Sequence, residues 1–137
     1  MLSDRRNRLY FLLLGAALFV TGCGGPSQFV FTMTTDQGQV ESFVAVTSDA
    51  DVIARARQEL SRPADERHLY ILGRVAEGDG EHNDDWGWHF VAGEWELTDT
   101  SMDLCDGDPQ FVEDSIRDWV AKIGRYCPKG ARLVEER

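Results

Sequence analysis

The stretch His68-Leu69-Tyr70-Ile71-Leu72-Gly73-Arg74-Val75 decides how the rest of the chain is read. It is the most apolar run after residue 22 and carries Tyr70, Ile71 and Val75, residue types that favour a central strand. Upstream, Ile53, Ala56 and Leu60 recur at spacings of three and four and mark one apolar face of a helix. Ser48, with Asp51 three residues on, resembles a capping box at its start. Asp49 and Asp51 suit the positive end, and Pro63 stops the helix. Still further upstream, Phe29–Thr34 and Val40–Thr47 read as a hairpin about Asp36-Gln37-Gly38. Downstream, residues 78–87 form a polar loop, followed by strands over Trp88–Ala92 and Glu94–Thr98. Asp108-Pro109 opens a last helix with the stripe Val112, Ile116, Trp119, Val120 and Ile123, closed by Gly124. Ala131–Glu135 reads as a final strand. This order predicts a single small α+β domain over 29–137, with two helices packed on a mainly antiparallel sheet.

The first 22 residues follow a different pattern. Arg5, Arg6 and Arg8 give a net positive start, and Leu9 to Val20 is an unbroken apolar run of 12 residues. As a helix that run spans roughly 18 Å, short of a bilayer core of about 30 Å, and is normal for a signal peptide. Val20-Thr21-Gly22-Cys23 resembles a bacterial lipobox, which implies cleavage before Cys23 and acylation of that cysteine with a diacylglyceryl group and a fatty acid such as palmitate. Residues 1–22 are thus read as a lipoprotein signal peptide and 23–28 as the lipidated cysteine with a short tether. The expected partner through Cys23 is the membrane, and the expected location is the bacterial cell envelope. Gly24 stands where an aspartate often retains such proteins at an inner membrane, so the outer membrane is favoured where there are two.

The whole chain has 137 residues, 42% of them hydrophobic and 28% charged, which excludes collagen-like and disordered classes. From residue 23 onward it keeps 11 of the 14 Lys and Arg and 23 of the 24 Asp and Glu, for a formal charge of −12. Phosphate contacts need cations, so nucleic acid is excluded as a partner, and the chain does not lie flat on anionic lipid. The charge favours solubility outside the cell.

Setting Cys23 aside leaves Cys105 and Cys127, 22 positions apart on either side of the last predicted helix. In an oxidising compartment they allow one disulfide, which we expect. The alternatives are two free core thiols or a thiolate activated by a histidine.

Five motifs then fall in one order. They are Trp86-Gly87-Trp88-His89-Phe90, Leu104-Cys105-Asp106-Gly107-Asp108-Pro109, Phe111-Val112-Glu113-Asp114, Tyr126-Cys127-Pro128 and Ala131-Arg132-Leu133-Val134. Together they resemble the BP-seventy-four N-terminal domain family from about Phe29 to Glu135. The resemblance implies an extracytoplasmic α+β domain with the two matched cysteines bridged, and it brings no catalytic residues. Lys129-Gly130 follows Cys127-Pro128 where a tryptophan is expected in many relatives.

Candidate chemistry is sparse. His68, His82 and His89 are not spaced as HxH or HExxH, and no GxSxG supports a serine nucleophile. The segment Glu77 to Asp85 carries five carboxylates, and hard cations need several oxygens. Asp79, Glu81 and Asn83 fall at EF-hand positions 1, 3 and 5, but position 6 is Asp84 and position 12 is Phe90. No resident cofactor is expected. Weak calcium binding at Asp79, Glu81, Asn83, Asp84 and Asp85 is the metal candidate, on a loop expected to be open and solvated. Trp86, Trp88 and His89 are the candidate ligand surface, although tryptophans are also the best core fillers of a small domain. The favoured function is a lipid-anchored, non-enzymatic binding or envelope-structural module whose partner is a protein or small molecule. The alternative is a small envelope hydrolase using His89 or His82 beside the acidic loop.

Overall fold

The structure is a computed structural model and describes residues 25–100 and 102–137. The segment 1–22 read as a signal peptide, Cys23 and Gly24 lie outside the described residues. The α+β class holds, with the strands divided between two antiparallel three-stranded sheets. In the first, β1 (Ser27–Thr34) lies between β2 (Val40–Thr47) and β6 (Arg132–Glu136). In the second, β3 (Tyr70–Glu77) lies between β4 (Trp88–Thr98) and the two-residue β5 (Arg125–Tyr126). The apolar run around Ile71 thus supplies the middle strand of its sheet.

The two sheets face each other across an aromatic core. Phe29, Phe31, Phe43 and Leu133 from the first sheet meet Ile71, Val75, Trp88, Phe90, Trp95 and Tyr126 from the second. Phe43 stands at the centre, 5.4 Å from Phe31, 5.5 Å from Trp88 and 5.8 Å from Phe90 between ring centroids. Such close aromatic pairs add to what burial alone contributes.

The face-to-face arrangement leaves β2 paired with β1 on one side only. Its other edge is covered by side chains from the second half of the chain. Trp86 Nε1 donates to Ser42 O (2.8 Å), Asn83 Oδ1 accepts from Val44 N (2.9 Å) and Trp95 Nε1 donates to Val46 O (2.8 Å). Asn83 Nδ2 also donates to Trp88 O (2.7 Å), so one buried amide joins β2 to β4. A third indole, Trp119, donates to Arg125 O at the short edge of the other sheet (2.7 Å). The fourth, Trp88, is fully buried and its Nε1 has no partner; its ring stands perpendicular to Tyr126 at 5.3 Å.

Residues 88–98 form one strand where two were expected. The register with β3 shifts between Gly73 and Val75, and β4 bulges outward over 91–94. A Cβ at Gly73 would lie 2.7 Å from Glu94 O, so only glycine lets β4 cross there.

The first helix, α1 (Ala50–Leu60), is capped by Asp49 rather than Ser48: Asp49 Oδ1 accepts from Asp51 N (2.9 Å) and Val52 N (3.2 Å). A carboxylate is the stronger acceptor for these amides. Glu59, on the inner face of α1, is buried, and its Oε1 accepts from His68 N (2.7 Å) and Leu69 N (3.1 Å), which locks the helix to the entry of β3. The last predicted helix is two, α2 (Pro109–Asp114) and α3 (Ile116–Lys122). Ser115 separates them; its hydroxyl donates back to Phe111 O (2.7 Å) and its backbone leaves the helical region. Asp108 occupies the cap position without a side-chain hydrogen bond to the helix; the amide of Gln110, one that a cap would meet, donates instead to Glu41 (3.4 Å).

Cys105 and Cys127 form a disulfide with Cα atoms 5.1 Å apart, and Cys127 N donates to Cys105 O (2.8 Å). Tyr70 and Leu72 pack around it, so the bridge ties the α2–α3 unit to the middle strand.

Two outcomes follow from this packing. Asn83→Ala strips the partners from Val44 N and Trp88 O and is expected to cost about 2–4 kcal/mol in urea unfolding, the penalty of two buried groups left unpaired. The Cys105→Ser/Cys127→Ser double variant is expected to lose about 2–4 kcal/mol under non-reducing conditions. Wild type treated with a thiol reductant should approach it.

Candidate functional site

The acidic loop between β3 and β4 is a set of nested turns rather than an open segment. Asp79 O accepts from Asn83 N (2.9 Å), Asn83 O from Trp86 N (3.0 Å), and Gly87 O from Gly78 N (2.7 Å). Asp79 Oδ1 turns inward to Glu81 N (2.9 Å). With Asn83 and Trp86 fastened to β2, the loop is pinned at its middle and its exit. The expectation of an open loop fails because it treated Asn83 as a surface residue; at 2% exposure it is core.

Gly80 and Glu81 both adopt left-handed backbone, with φ of 63° and 67°. A Cβ on Gly80 would fall 2.6 Å from the His89 ring and 2.8 Å from His82 Cε1. The missing side chain therefore lets the two imidazoles meet, with centroids 5.6 Å apart and planes perpendicular. His82 Nδ1 donates to Gly80 O (2.8 Å) and His89 Nδ1 to Gly78 O (2.7 Å). Because a carbonyl can only accept, each neutral ring carries its lone pair on Nε2. His82 Nε2 is buried and has no partner. His82 also lines a cavity of about 150 Å³, together with Ser42, Asn83, Asp84, Asp85 and Arg137. Burial holds the His82 pKa below the ordinary histidine value and the charge of His89 adds to this, against an opposing pull from Gly80 O, Asp79 and Asp84.

The sequence candidates separate in space. Trp88 is core, Trp86 is half-buried with its ring 5.7 Å from Trp88, and His89 points to the other side of β4 with His82. Asn83 spends both ends of its amide on backbone, while Glu81, Asp84 and Asp85 are exposed. Among the described residues, no three His, Cys, Asp or Glu side chains converge in a way that could hold a metal ion. His68 lies apart at the entry to β3, exposed. Ser42 and Arg137 join the cavity without any local sequence signal; the β6–β1–β2 pairing brings them there.

The remaining motifs meet one another. Tyr126 Oη donates to Gly107 O (2.7 Å), Gly87 N donates to Glu113 (2.9 Å), and Trp88 lies against Tyr126. A family profile described as the BP-seventy-four N-terminal domain matches residues 27–137. The chain belongs to that family. No curated protein and no solved structure matches it. The BP-seventy-four N-terminal domain here includes every strand and helix described, both bridged cysteines and the paired histidines. Four of its resembling motifs thus touch one another through Tyr126, Gly107, Trp88, Gly87 and Glu113.

The His82 geometry sets a pH dependence for this BP-seventy-four domain. A histidine whose pKa is depressed by folding binds its proton less readily in the folded state. Its contribution to stability is full above the unfolded value, about 6.5, and is lost as pH falls from there toward the folded value. His82→Gln should lose less stability than wild type between about pH 7.5 and about pH 5.5, and His82 should titrate by NMR with a midpoint below about 6.5. Equal pH slopes for the two proteins would contradict this assignment.

Proposed function

We propose that this BP-seventy-four N-terminal domain is a lipid-anchored, extracytoplasmic binding module of the bacterial envelope, held at the membrane through Cys23 and displayed on its outer side. The observation that carries the reading is the Val20-Thr21-Gly22-Cys23 end of the apolar run. The Cys105–Cys127 bridge supports it, since disulfides persist in oxidising compartments. The charge of −12 after residue 22 supports a domain standing in solution off the bilayer. Where the cell has two membranes, Gly24 after Cys23 favours the outer one.

Binding is preferred to catalysis on the state of the histidines. His82, His89 and His68 each engage a backbone carbonyl through Nδ1, and among the described residues none is hydrogen-bonded to a hydroxyl, thiol or carboxylate that it could activate. The hydrolase reading draws on His82, whose Nε2 is unpartnered and which lines the small cavity. His82→Gln leaves the binding reading untouched and would abolish any such activity.

Lipidation has a direct test. In a bacterial host, Cys23→Ser should lose labelling by a fatty-acid analogue and move from the membrane to the soluble fraction. A mature wild-type protein of unmodified mass would overturn the proposal.

A further inference from the structure

The end of the domain away from residue 25 carries exposed apolar side chains inside an acidic rim. β1 runs about 23 Å from Ser27 to Thr34 at about 3.3 Å per residue. Next to its far end, Met33 meets Gly130, where a Cβ would lie 3.1 Å from Met33 Cε. Lys129, beside Gly130, pairs with Asp103, the residue before Leu104. On the neighbouring strand, Glu41 accepts from Gln110 N (3.4 Å), the residue before Phe111. Gly107 links the two sides: a Cβ there would sit 3.5 Å from Phe111 Cδ1, and Gly107 follows Leu104 by three positions.

At this pole Leu104 is 87% exposed and Phe111 58%; Met102, two residues before Leu104, and Val40, next to Glu41, are exposed as well. Phe111 packs one face on Trp119 (5.8 Å, perpendicular) and turns outward. It lies outside the buried stripe of α2 and α3, so neither it nor Leu104 serves the core. The disulfide holds Cys105, next to Leu104, rigidly in place. Asp103 precedes Leu104 and pairs with Lys129, Asp106 and Asp108 flank Gly107, and Asp114 and Glu41 both accept from Gln110, the residue before Phe111. Burial, with the charges of Asp108, Asp106 and Glu41, holds the Tyr126 phenol well above its usual pKa.

We propose that Leu104 and Phe111, within this acidic rim, dock a polypeptide partner that presents a large apolar or aromatic anchor flanked by lysine or arginine. The inference rests on the binding-module reading and names its partner class. Apolar anchors at the centre of a charged rim are the usual anatomy of a protein-binding patch, and the rim selects the opposite charge. A second copy would set acidic rim against acidic rim, and anionic lipid would meet the same repulsion. The patch also faces away from residue 25, the side from which the lipid tether would enter.

The full-length protein in zwitterionic nanodiscs is titrated with a fluorescein-labelled Lys-Lys-Trp-Lys-Lys peptide, with the corresponding glutamate peptide as control. Saturable binding of the lysine peptide alone is expected, weakened about tenfold by Leu104→Ser or Phe111→Ser, the loss of one anchor. Asp114→Asn should weaken it less, and added salt should weaken it in all proteins. Leu104 makes no buried contact, so that variant keeps the fold. Unchanged binding in both anchor variants would overturn the proposal. So would equal weakening by Glu94→Gln/Glu96→Gln on the β4 bulge, which would indicate general charge attraction. Self-association, or binding to phosphatidylglycerol vesicles, that is abolished by Leu104→Ser would replace the partner with a second copy or with lipid. Repeating the titration on Cys23→Ser separates the two readings, since that variant loses the anchor and keeps the patch.

Discussion

The free edge of β2 is the constraint on which the rest of the structure depends. A strand paired on one side presents unpaired amides and carbonyls, which cost free energy if buried and invite aggregation if exposed. Here one outward group on each of Ser42, Val44 and Val46 is met, by Trp86, Asn83 and Trp95 in turn. Those partners all come from the loop and strand that follow β3, so closing the edge also closes the two sheets on each other. The same indoles that finish the hydrogen bonds also pack into the aromatic core around Phe43, Trp95 within it and Trp86 against it.

That double use explains what could and could not be read along the chain. The β2 boundaries are legible residue for residue, because a run of strand-favouring residues bounded by turn residues is a local signal even where its alternation is imperfect. The central strand, the capped α1 and the bridged cysteines are legible for similar reasons. The single strand β4 is not, because Gly93 looks like a turn and only the close approach of Gly73 to Glu94 turns it into a bulge. The break at Ser115 escapes for a related reason: the apolar stripe continues through it, and nothing in the stripe reports that the hydroxyl bonds backward to Phe111 O. The α1 cap moves from Ser48 to Asp49, a one-residue competition between two good acceptors.

The candidate site shows the same division. His82 and His89 stand out by residue type, but their meeting depends on two consecutive left-handed residues, Gly80 and Glu81, and the second carries no compositional hint. Asn83 sits among carboxylates and is read with them, although its amide belongs to the core. Acid-rich composition therefore hides a structural residue and overstates the openness of the loop. The family match covers 27–137, so both histidines, Asn83 and the bridged cysteines all lie within the family's domain.

The four tryptophans give the molecule a built-in optical readout. Three indoles donate to edge carbonyls, and the fourth, Trp88, is sealed among rings with its N–H unpaired. Their emission and indole proton resonances therefore report different joints of one closure. Trp86 and Trp95 sense whether the sheets stay fastened, Trp119 senses the α3–β5 corner, and Trp88 senses whether solvent has entered between the layers. A partial opening that spares the disulfide would change the first pair before the last, so the order in which these signals change would map how the domain comes apart.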